Sequence, residues 1–273
     1  MRPTGLPRDE HRTARLYGDV HGIRAGEEED LRRILSPSLI GEEPGFFRGL
    51  RCLDAGCGGM APAAWALARQ GAARIAAVDL SEENLRRARR DGAADLAAVR
   101  FARGSLGALP FRDGSFDFVN AGGVLHHLRS PERGLAELLR VLRPGGTLTV
   151  GLYGRGGLVP LLLGLARLVA SLVSYPLARA LAVRLFRTNP LAAGDVLDLL
   201  YVPYAWRYGE RQALRWIERA GVASARRVAP DPGRAYHAPL ARLLHASAFP
   251  RDSPLRRFLH GDGWLYLVGK KGD

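Results

Sequence analysis

The stretch LDAGCGGMAP, residues 53–62, decides the fold of this chain of 273 residues. It begins as an apolar strand that ends in Asp54, and it then turns through Gly56 and Gly58 into an alanine-rich helix. Gly56, Gly58 and Ala61 also fit the spacing G-x-G-x-x-G/A, in which the glycines let the backbone approach a dinucleotide closely. The stretch therefore predicts a strand–turn–helix unit that holds a ligand at its turn.

Strands and helices alternate around this turn, from residue 51 to residue 153. The predicted strands are residues 51–56, 73–80, 99–105, 116–122 and 147–153, and the predicted helices are residues 61–70, 81–92 and a part of 127–146. A helix at 210–222 and a final strand at 263–271 are predicted later in the chain. This alternation predicts a parallel sheet covered by helices on both faces.

Two acidic residues at strand ends indicate the kind of ligand. Asp79 closes the second predicted strand, where a carboxylate can accept both hydroxyls of a ribose. Asp54 comes directly before the turn, where it would repel a pyrophosphate and attract a cationic amino group or a sulfonium. S-adenosylmethionine carries both cations and no phosphate, so these residues favour it over a dinucleotide.

As a set, these motifs resemble the class I S-adenosylmethionine-dependent methyltransferases, in particular the type 11 bacterial small-molecule branch. LDAGCGGM (53–60) is similar to the first motif of that family, VDLSEENLRRAR (78–89) to its second, and residues 115–150 to its fourth and fifth in unbroken order. Residues 195–222 resemble its substrate side more loosely. The resemblance implies an α/β fold: a Rossmann-like sandwich with a central, mostly parallel seven-stranded sheet, an antiparallel last strand, and a helical cap inserted after strand 5.

The resemblance also implies which residues bind S-adenosylmethionine. They are Asp54, Gly56, Cys57, Gly58, Asp79, Leu80, Ser105, Leu106, Ala121 and Gly122. Asp54 and the glycines would line the methionine part, Asp79 would hold the ribose, and Leu80 would pack under the adenine. Ser105 stands where the family usually has Asp or Asn against the adenine amino group. Met60 stands where it usually has glycine, so its side chain either packs on the cofactor or braces the first helix.

The acceptor side is predicted from histidines and aromatic residues. His126 and His127 follow the fourth strand, and histidine suits general-base work because it titrates near neutrality. The resemblance favours His126 as the base. The alternative for both histidines is a packing role, because this pair is common at the start of a helix across the family. The candidate substrate residues are Tyr17, Tyr201, Tyr204, Trp206 and Tyr208, with Asp195 and Asp198 among them. Ordinary packing of a helical cap explains those in the cap equally well.

Charge, cysteine and histidine content bear on whether the protein binds nucleic acid or metal ions. The formal net charge is +13, but the arginines are spread along the chain and Lys270 and Lys271 are the only lysines, so we expect no nucleic-acid partner. Cys52 and Cys57 flank the turn and are expected to be reduced thiols. His237, His245 and His260 lack metal-like spacing, so no metal is expected. The N-terminus has no apolar core, which favours a cytoplasmic protein.

The segment 157–187 is apolar, and Arg167 is its only charged residue before Arg179. A helical cap that lines the substrate pocket is the first interpretation. Contact with a membrane surface is the alternative, because Pro160, Pro176 and the central arginine disfavour a membrane span. The predicted division is an N-terminal helical segment that covers the cofactor (1–50), a cofactor-binding core (51–153), a helical cap (154–209), and the C-terminal part of the core sheet with a further insertion (210–273).

The sequence thus predicts a methyltransferase that moves a methyl group to an O, N or C atom of a small, apolar metabolite, such as a lipid, a quinone or a secondary metabolite. Its main task would be to position the acceptor for in-line transfer. We expect a monomer or a homodimer. The alternatives are an RNA or protein methyltransferase, an NAD(P)-dependent reductase, and a non-catalytic cofactor-binding or membrane-surface protein. The reductase is disfavoured because Tyr-x-x-x-Lys occurs only as Tyr266 and Lys270, in the last strand.

Overall fold

A computed structural model describes residues 8–23, 35–91, 97–187, 190–228 and 253–273. Its seven-stranded sheet has the order β3-β2-β1-β4-β5-β7-β6. The strands are β1 (Arg51–Ala55), β2 (Arg74–Asp79), β3 (Val99–Arg103), β4 (Phe116–Gly122), β5 (Leu142–Tyr153), β6 (Val222–Val228) and β7 (Trp264–Lys271). The first five strands pair in parallel, and β7 lies antiparallel to both β5 and β6. The predicted fold class, including the antiparallel last strand, is confirmed.

Helices cover the sheet and extend beyond it. They are α1 (Arg8–Ile23), α2 (Pro37–Ile40), α3 (Pro62–Arg69), α4 (Glu82–Asp91), α5 (Pro131–Val141), α6 (Leu158–Ala170), α7 (Tyr175–Leu185), α8 (Pro190–Tyr201), α9 (Glu210–Arg219) and α10 (Pro254–His260). A 3₁₀ turn, Leu125–His127, follows β4. Residues 24–34 of the N-terminal segment lie outside the described residues, and the described part of that segment contains α1 and α2.

The order of the strands places the candidate site. Asp54, near the end of β1, is in register with Ala77 of β2 and with Asn120 of β4. The connections from β1 run toward β2 and β3 on one side, whereas β4 begins the other half of the sheet. Ligands of open α/β sheets bind beyond the carboxyl ends of the strands at such a reversal, because the connecting loops separate there and leave a crevice. The glycine turn occupies this position.

The cap region of residues 154–209 contains α6, α7 and α8. A buried cluster joins it to the N-terminal helix: Leu16 and Val20 of α1 pack with Ala182 of α7 and Leu197 of α8. Helix α1 therefore lies between the glycine turn and the cap. No helix among the described residues is long and apolar enough to cross a membrane. The division of the chain into four parts stays a prediction.

Candidate functional site

Asp54 is a buried carboxylate held by two donors. Its Oδ1 accepts a hydrogen bond from the Asn120 side-chain amide at 2.9 Å, and its Oδ2 accepts one from the Ala64 backbone N–H at 3.1 Å. Burial raises the pKa of Asp54 to about 6, while the two hydrogen bonds act in the opposite direction. The carboxylate is thus fixed between β4 and the start of α3, and its charge is costly until a cation approaches.

The glycines of the turn are required by conformation and by close approach. Gly56 and Gly58 have φ angles of 78° and 68°, in the left-handed region that other residues avoid. A Cβ on Gly56 would lie 2.6 Å from Cγ2 of Val124. A Cβ on Gly58 would lie 3.1 Å from Cε1 of His21, which belongs to α1. The glycine at position 58 is therefore required in part because α1 packs closely over the turn.

Met60 departs from the family pattern without straining the backbone. The left-handed non-glycine residue of the turn is its neighbour Ala61, with φ of 42°. Met60 is half-buried, and its carbonyl accepts a hydrogen bond from the Trp65 indole N–H at 2.5 Å. Its backbone thus braces the start of α3, and glycine is not needed at this position for conformational reasons.

Asp79 ties the turn to the beginning of α4. Its Oδ2 accepts from the Gly58 N–H at 2.9 Å, and its Oδ1 accepts from the Ser81 N–H at 2.8 Å and the Asn84 side chain at 3.2 Å. Ser81 also caps α4, because its hydroxyl accepts from the Asn84 N–H. A ribose would have to share a carboxylate that already accepts three hydrogen bonds within the chain. Leu80, next to it, is half-buried.

The Ser105 hydroxyl is engaged by a residue that sequence reasoning missed. It donates to Oε1 of Glu10 in α1 at 3.0 Å and accepts from the Gly107 N–H at 3.1 Å. The other oxygen of Glu10, Oε2, is buried and has no hydrogen-bond partner among the described residues. Glu10 is separated from Ser105 by 95 positions, so no local motif could have linked them. Leu106, beside Ser105, is buried.

The remaining cofactor candidates lie at the same edge of the sheet. Ala121 and Gly122 end β4, with Ala121 fully buried and Gly122 exposed. Cys57 is buried in the turn, and burial raises the pKa of its thiol well above the ordinary value. Burial likewise raises the pKa of Cys52 to about 12. Both cysteines are therefore protonated, unbridged thiols in this structure and poor nucleophiles.

His126 is enclosed rather than presented to a pocket. It is fully buried, with its ring centroid 3.9 Å from that of Tyr153, 4.0 Å from that of His127 and 5.6 Å from that of Trp264. Burial lowers the pKa of His126 well below its ordinary value, and the neighbouring His127 acts in the same direction. A neutral imidazole in this cage is a weak proton acceptor, which favours the packing role for His126.

His127 has a geometry that fits proton acceptance better. Its Nδ1 lies 2.9 Å from the Tyr204 carbonyl oxygen, which can only accept, so Nδ1 carries the proton and Nε2 carries the lone pair. The rings of Tyr17 and Tyr153 lie 5.3 Å from the His127 ring, centroid to centroid. No metal explains these histidines: among the described residues, no group of His, Cys, Asp or Glu has the arrangement of a metal site.

Asp198 gathers the aromatic residues around His127. Its Oδ1 accepts from the Tyr17 hydroxyl at 2.8 Å, and the Tyr153 hydroxyl lies 3.5 Å from its Oδ2. Tyr204 contacts His127 through its backbone carbonyl, while its hydroxyl lies 3.2 Å from Oδ2 of Asp9 in α1. Tyr17 and Tyr153 thus meet at Asp198, and sequence reasoning did not identify Tyr153; the substrate role of Tyr17 and Tyr204 stays a prediction.

The other predicted substrate residues point elsewhere. Tyr201 donates to the Val173 carbonyl at 3.2 Å, and Tyr208 is buried and stacked on Trp216. Trp206 is 48% exposed and donates to the Leu128 carbonyl. These contacts match the alternative of helix packing. His260 is buried, whereas His237, His245 and the Asp195 side chain lie outside the described part of the chain.

One further charged side chain faces this cluster. The Arg207 guanidinium carbon lies 5.4 Å from the centroid of the Tyr153 ring, a cation–π contact. Burial lowers the pKa of Arg207 from its ordinary value, although the group remains charged. Sequence reasoning did not single out Arg207, because its role depends on the fold bringing it over β5.

Comparisons with known proteins agree with this geometry. A family model described as "Methyltransferase domain" matches residues 53–150. A malonyl-[acyl-carrier protein] O-methyltransferase of Pectobacterium atrosepticum is 31% identical over 176 residues, which cover 64% of this chain and 61% of the relative. A demethylmenaquinone methyltransferase of Clavibacter sepedonicus is 42% identical over 102 residues, 37% of this chain and 40% of the relative.

A solved structure extends the likeness over the whole fold. The 1,6-didemethyltoxoflavin-N1-methyltransferase of Burkholderia thailandensis, solved with S-adenosylhomocysteine, has a TM-score of 0.53 at 18% identity, over 99% of this chain and 93% of that one. The chain spans less than two thirds of the length of the first curated relatives it matches. The motifs of residues 53–150 and the matched methyltransferase domain place this part of the chain among the class I S-adenosylmethionine-dependent methyltransferases, and the sheet that it helps to form has the seven-stranded order described above.

Proposed function

We propose that this protein transfers the methyl group of S-adenosylmethionine to an O, N or C atom of a small, apolar metabolite. The observation that carries the proposal is the pair of buried carboxylates, Asp54 and Asp79, on either side of a glycine turn at the reversal point of the sheet. Neither carboxylate has an arginine or lysine partner among its described hydrogen bonds and ion pairs. A cationic, hydroxyl-bearing ligand supplies what both lack.

The chain's residues fit S-adenosylmethionine. Asp54 and the turn glycines would meet the amino-acid part, and Asp79 would accept from the ribose through its remaining lone pairs. Leu80, Ser105 and Leu106 would surround the adenine, with Ala121 and Gly122 beneath the sulfonium. The orphaned Oε2 of Glu10 supports this fit, because a buried carboxylate oxygen without a donor is costly and the adenine amino group is a donor.

When bound, the cofactor supplies an electrophilic methyl on a positively charged sulfur. The chain's share of the work is to hold an acceptor atom in line with that methyl and to exclude water. Helix α1 serves both purposes, because it lies over the turn through His21 and reaches the acceptor side through Tyr17. The aromatic rings of Tyr17 and Tyr153 beside His127 suit a flat or apolar acceptor.

A proton released from an O or N acceptor needs a base. We infer that His127 takes this role, because its Nε2 carries the lone pair while the Tyr204 carbonyl fixes the ring through Nδ1. The family resemblance favours His126, but the enclosure and the lowered pKa of His126 make it the weaker candidate. His126 instead supports His127, since the two rings lie 4.0 Å apart.

The small-molecule acceptor is preferred over RNA or protein. The names of the relatives refer to menaquinone, to malonyl-acyl-carrier protein and to toxoflavin precursors, which supports a metabolite or an acyl chain as acceptor. An RNA substrate would be expected to use a basic stripe beside the cleft. The cluster near His127 instead combines aromatic rings with Asp198 and Arg207, rather than presenting a stripe of basic side chains.

Calorimetry with S-adenosylhomocysteine and with NADH tests the cofactor directly. We expect binding of the former in the micromolar range, and a loss of more than about tenfold in Asp79→Asn because a charge-assisted hydrogen bond to the ligand is lost. Asp113→Asn is the matched control, since Asp113 is an exposed carboxylate that pairs with Arg140. Binding of NADH without S-adenosylhomocysteine would overturn the proposal. Transfer of labelled methyl to quinone, fatty-acyl and phenolic pools would then identify the acceptor, with RNA and protein as the competing pools.

A further inference from the structure

The outer surface of the cap carries an apolar stripe that faces away from the protein. Along α6 and the turn after it, exposed side chains recur at helical spacing: Leu158, Leu161, Leu162, Leu165, Leu168, Val169 and Leu172, which are 38% to 86% exposed. Helix α10 packs against α6 and adds Leu255 and Phe258, 54% and 63% exposed. Helix α7 adds Leu177, Leu181 and Leu185. We name this set the outer apolar surface.

The orientation of α6 is the reverse of that expected for a helix in water. Arg167, the only charged residue of α6, points inward and donates to the carbonyl oxygens of Leu199 and Val202 at 2.9 Å and 2.5 Å. A surface helix normally buries its apolar stripe and exposes its charges. Exposed apolar patches of this extent mark a contact surface, because hydrating them costs free energy that a partner would recover.

The charged residues on the three helices of the outer apolar surface are all basic. Residues 151–194 contain no Asp or Glu, and the cap region carries exposed arginines at Arg155, Arg184 and Arg187. Helix α10 contributes Arg257, which is also exposed, and has no acidic residue. Arg179 of α7 differs from these arginines, because it pairs with Asp19 of α1 at 2.7 Å.

We propose that the outer apolar surface docks onto an anionic lipid bilayer, with α6 lying in the plane of the membrane interface. The 13 residues of α6 span about 20 Å, too short for a hydrocarbon core of about 30 Å, so the helix lies on the bilayer rather than crossing it. Arginines flanking an apolar stripe meet lipid phosphates favourably. A symmetric dimer through the same surface would bring like charges together, since each copy offers cations and no acid.

Docking in this way does not depend on methyl transfer. It would bring the cap, which packs against α1 on its inner side, to a bilayer surface on its outer side. An apolar acceptor dissolved in the bilayer would then lie near the helices that line the site. Membrane contact would thus bring the proposed enzyme to an apolar acceptor. Vesicle binding can nevertheless be measured without any acceptor, so its failure would not bear on methyl transfer.

Vesicle flotation tests the proposal with the full chain and no substrate. We expect the protein to float with phosphatidylcholine vesicles containing phosphatidylglycerol, and to bind pure phosphatidylcholine less, with the difference shrinking at high salt. The variant Leu161→Gln/Leu165→Gln/Leu168→Gln should reduce vesicle binding at least about tenfold, because three half-exposed leucines no longer enter the lipid. Its affinity for S-adenosylhomocysteine and its melting temperature should match those of the parent.

A charge-reversal pair separates the electrostatic part. Arg184→Glu/Arg187→Glu should weaken binding to the anionic vesicles, whereas Arg69→Glu/Arg112→Glu should not. The exposed Arg69 and Arg112 precede β2 and β4, near the amino ends of the strands, whereas the cap follows the carboxyl end of β5. Failure to float with any vesicle would overturn the proposal, as would equal flotation of parent and glutamine variant. A parent that is dimeric in light scattering, becomes monomeric in the glutamine variant and ignores vesicles would assign the surface to a second copy.

Discussion

The buried carboxylate of Asp54 predicts that cofactor affinity depends on pH in the acidic range. Burial raises its pKa to about 6 in the unliganded protein, about two units above the ordinary value. Ligand binding would place a protonated amino group beside Asp54, which favours the ionised carboxylate. A ligand that binds the ionised form must therefore displace the proton of Asp54 at any pH at which this carboxyl is protonated in the unliganded protein.

The magnitude follows from the fraction of Asp54 that is already ionised. With a pKa of about 6, about nine tenths is ionised at pH 7 and about one tenth at pH 5. We expect the association constant for S-adenosylhomocysteine to fall about tenfold between these pH values, with about half a proton released per ligand at pH 6. The ligand's amino group stays protonated throughout this range, so its own titration does not contribute.

Isothermal titration calorimetry in buffers of different ionisation enthalpy measures both quantities. 5′-Methylthioadenosine is the control ligand, because it keeps the adenine and the ribose but lacks the amino acid with its protonated α-amino group. Its affinity should therefore change far less with pH. This control also separates Asp54 from titratable groups on the adenosine side, whose protonation would affect both ligands. An affinity for S-adenosylhomocysteine that is flat from pH 5 to pH 7 would refute the reasoning.

Three further predictions concern the turn and the adenine side. Gly58→Ala should destabilise the protein by about 1–2 kcal/mol in denaturant unfolding because its φ is left-handed, whereas Gly164→Ala, in open space on α6, should stabilise it by about 0.5–1 kcal/mol; equal effects would contradict this. Glu10→Gln should weaken the binding of S-adenosylhomocysteine about tenfold in calorimetry, and should weaken the binding of S-inosylhomocysteine, which lacks the adenine amino group, much less. Equal losses would show that Glu10 does not bind the adenine amino group. Met60→Gly should leave affinity for S-adenosylhomocysteine unchanged, since only its backbone braces α3, and a clear loss would place the side chain on the cofactor.

The arrangement of the residues proposed to bind the cofactor was predictable because its information is local. The turn glycines, Asp54 and Asp79 lie at the ends of neighbouring strands, and parallel strands bring their carboxyl ends to one edge. The alternation of strands and helices gave the sheet, and the motif order matched a known family. Even so, the sequence alone could not show that Asp79 already accepts three hydrogen bonds or that α1 packs over Gly58.

The acceptor half depended on contacts that are distant in the chain. Tyr17 meets Asp198 across 181 positions, and Ser105 meets Glu10 across 95, so neither pair leaves a pattern in the sequence. His126 and His127 are adjacent and alike in sequence, yet one is caged with a lowered pKa and the other is oriented by the Tyr204 carbonyl. Their difference comes from the packing around each ring, which the neighbouring letters do not encode.

The apolar segment 157–187 shows the same division. By itself, the sequence determined that the segment is helical, too interrupted for a span, and free of acidic residues. Only the tertiary structure decided which side of α6 faces outward, because that depends on Arg167 finding the carbonyl oxygens at the end of α8. Local composition sets what a helix can bury, but the partners available in the fold determine which face it buries.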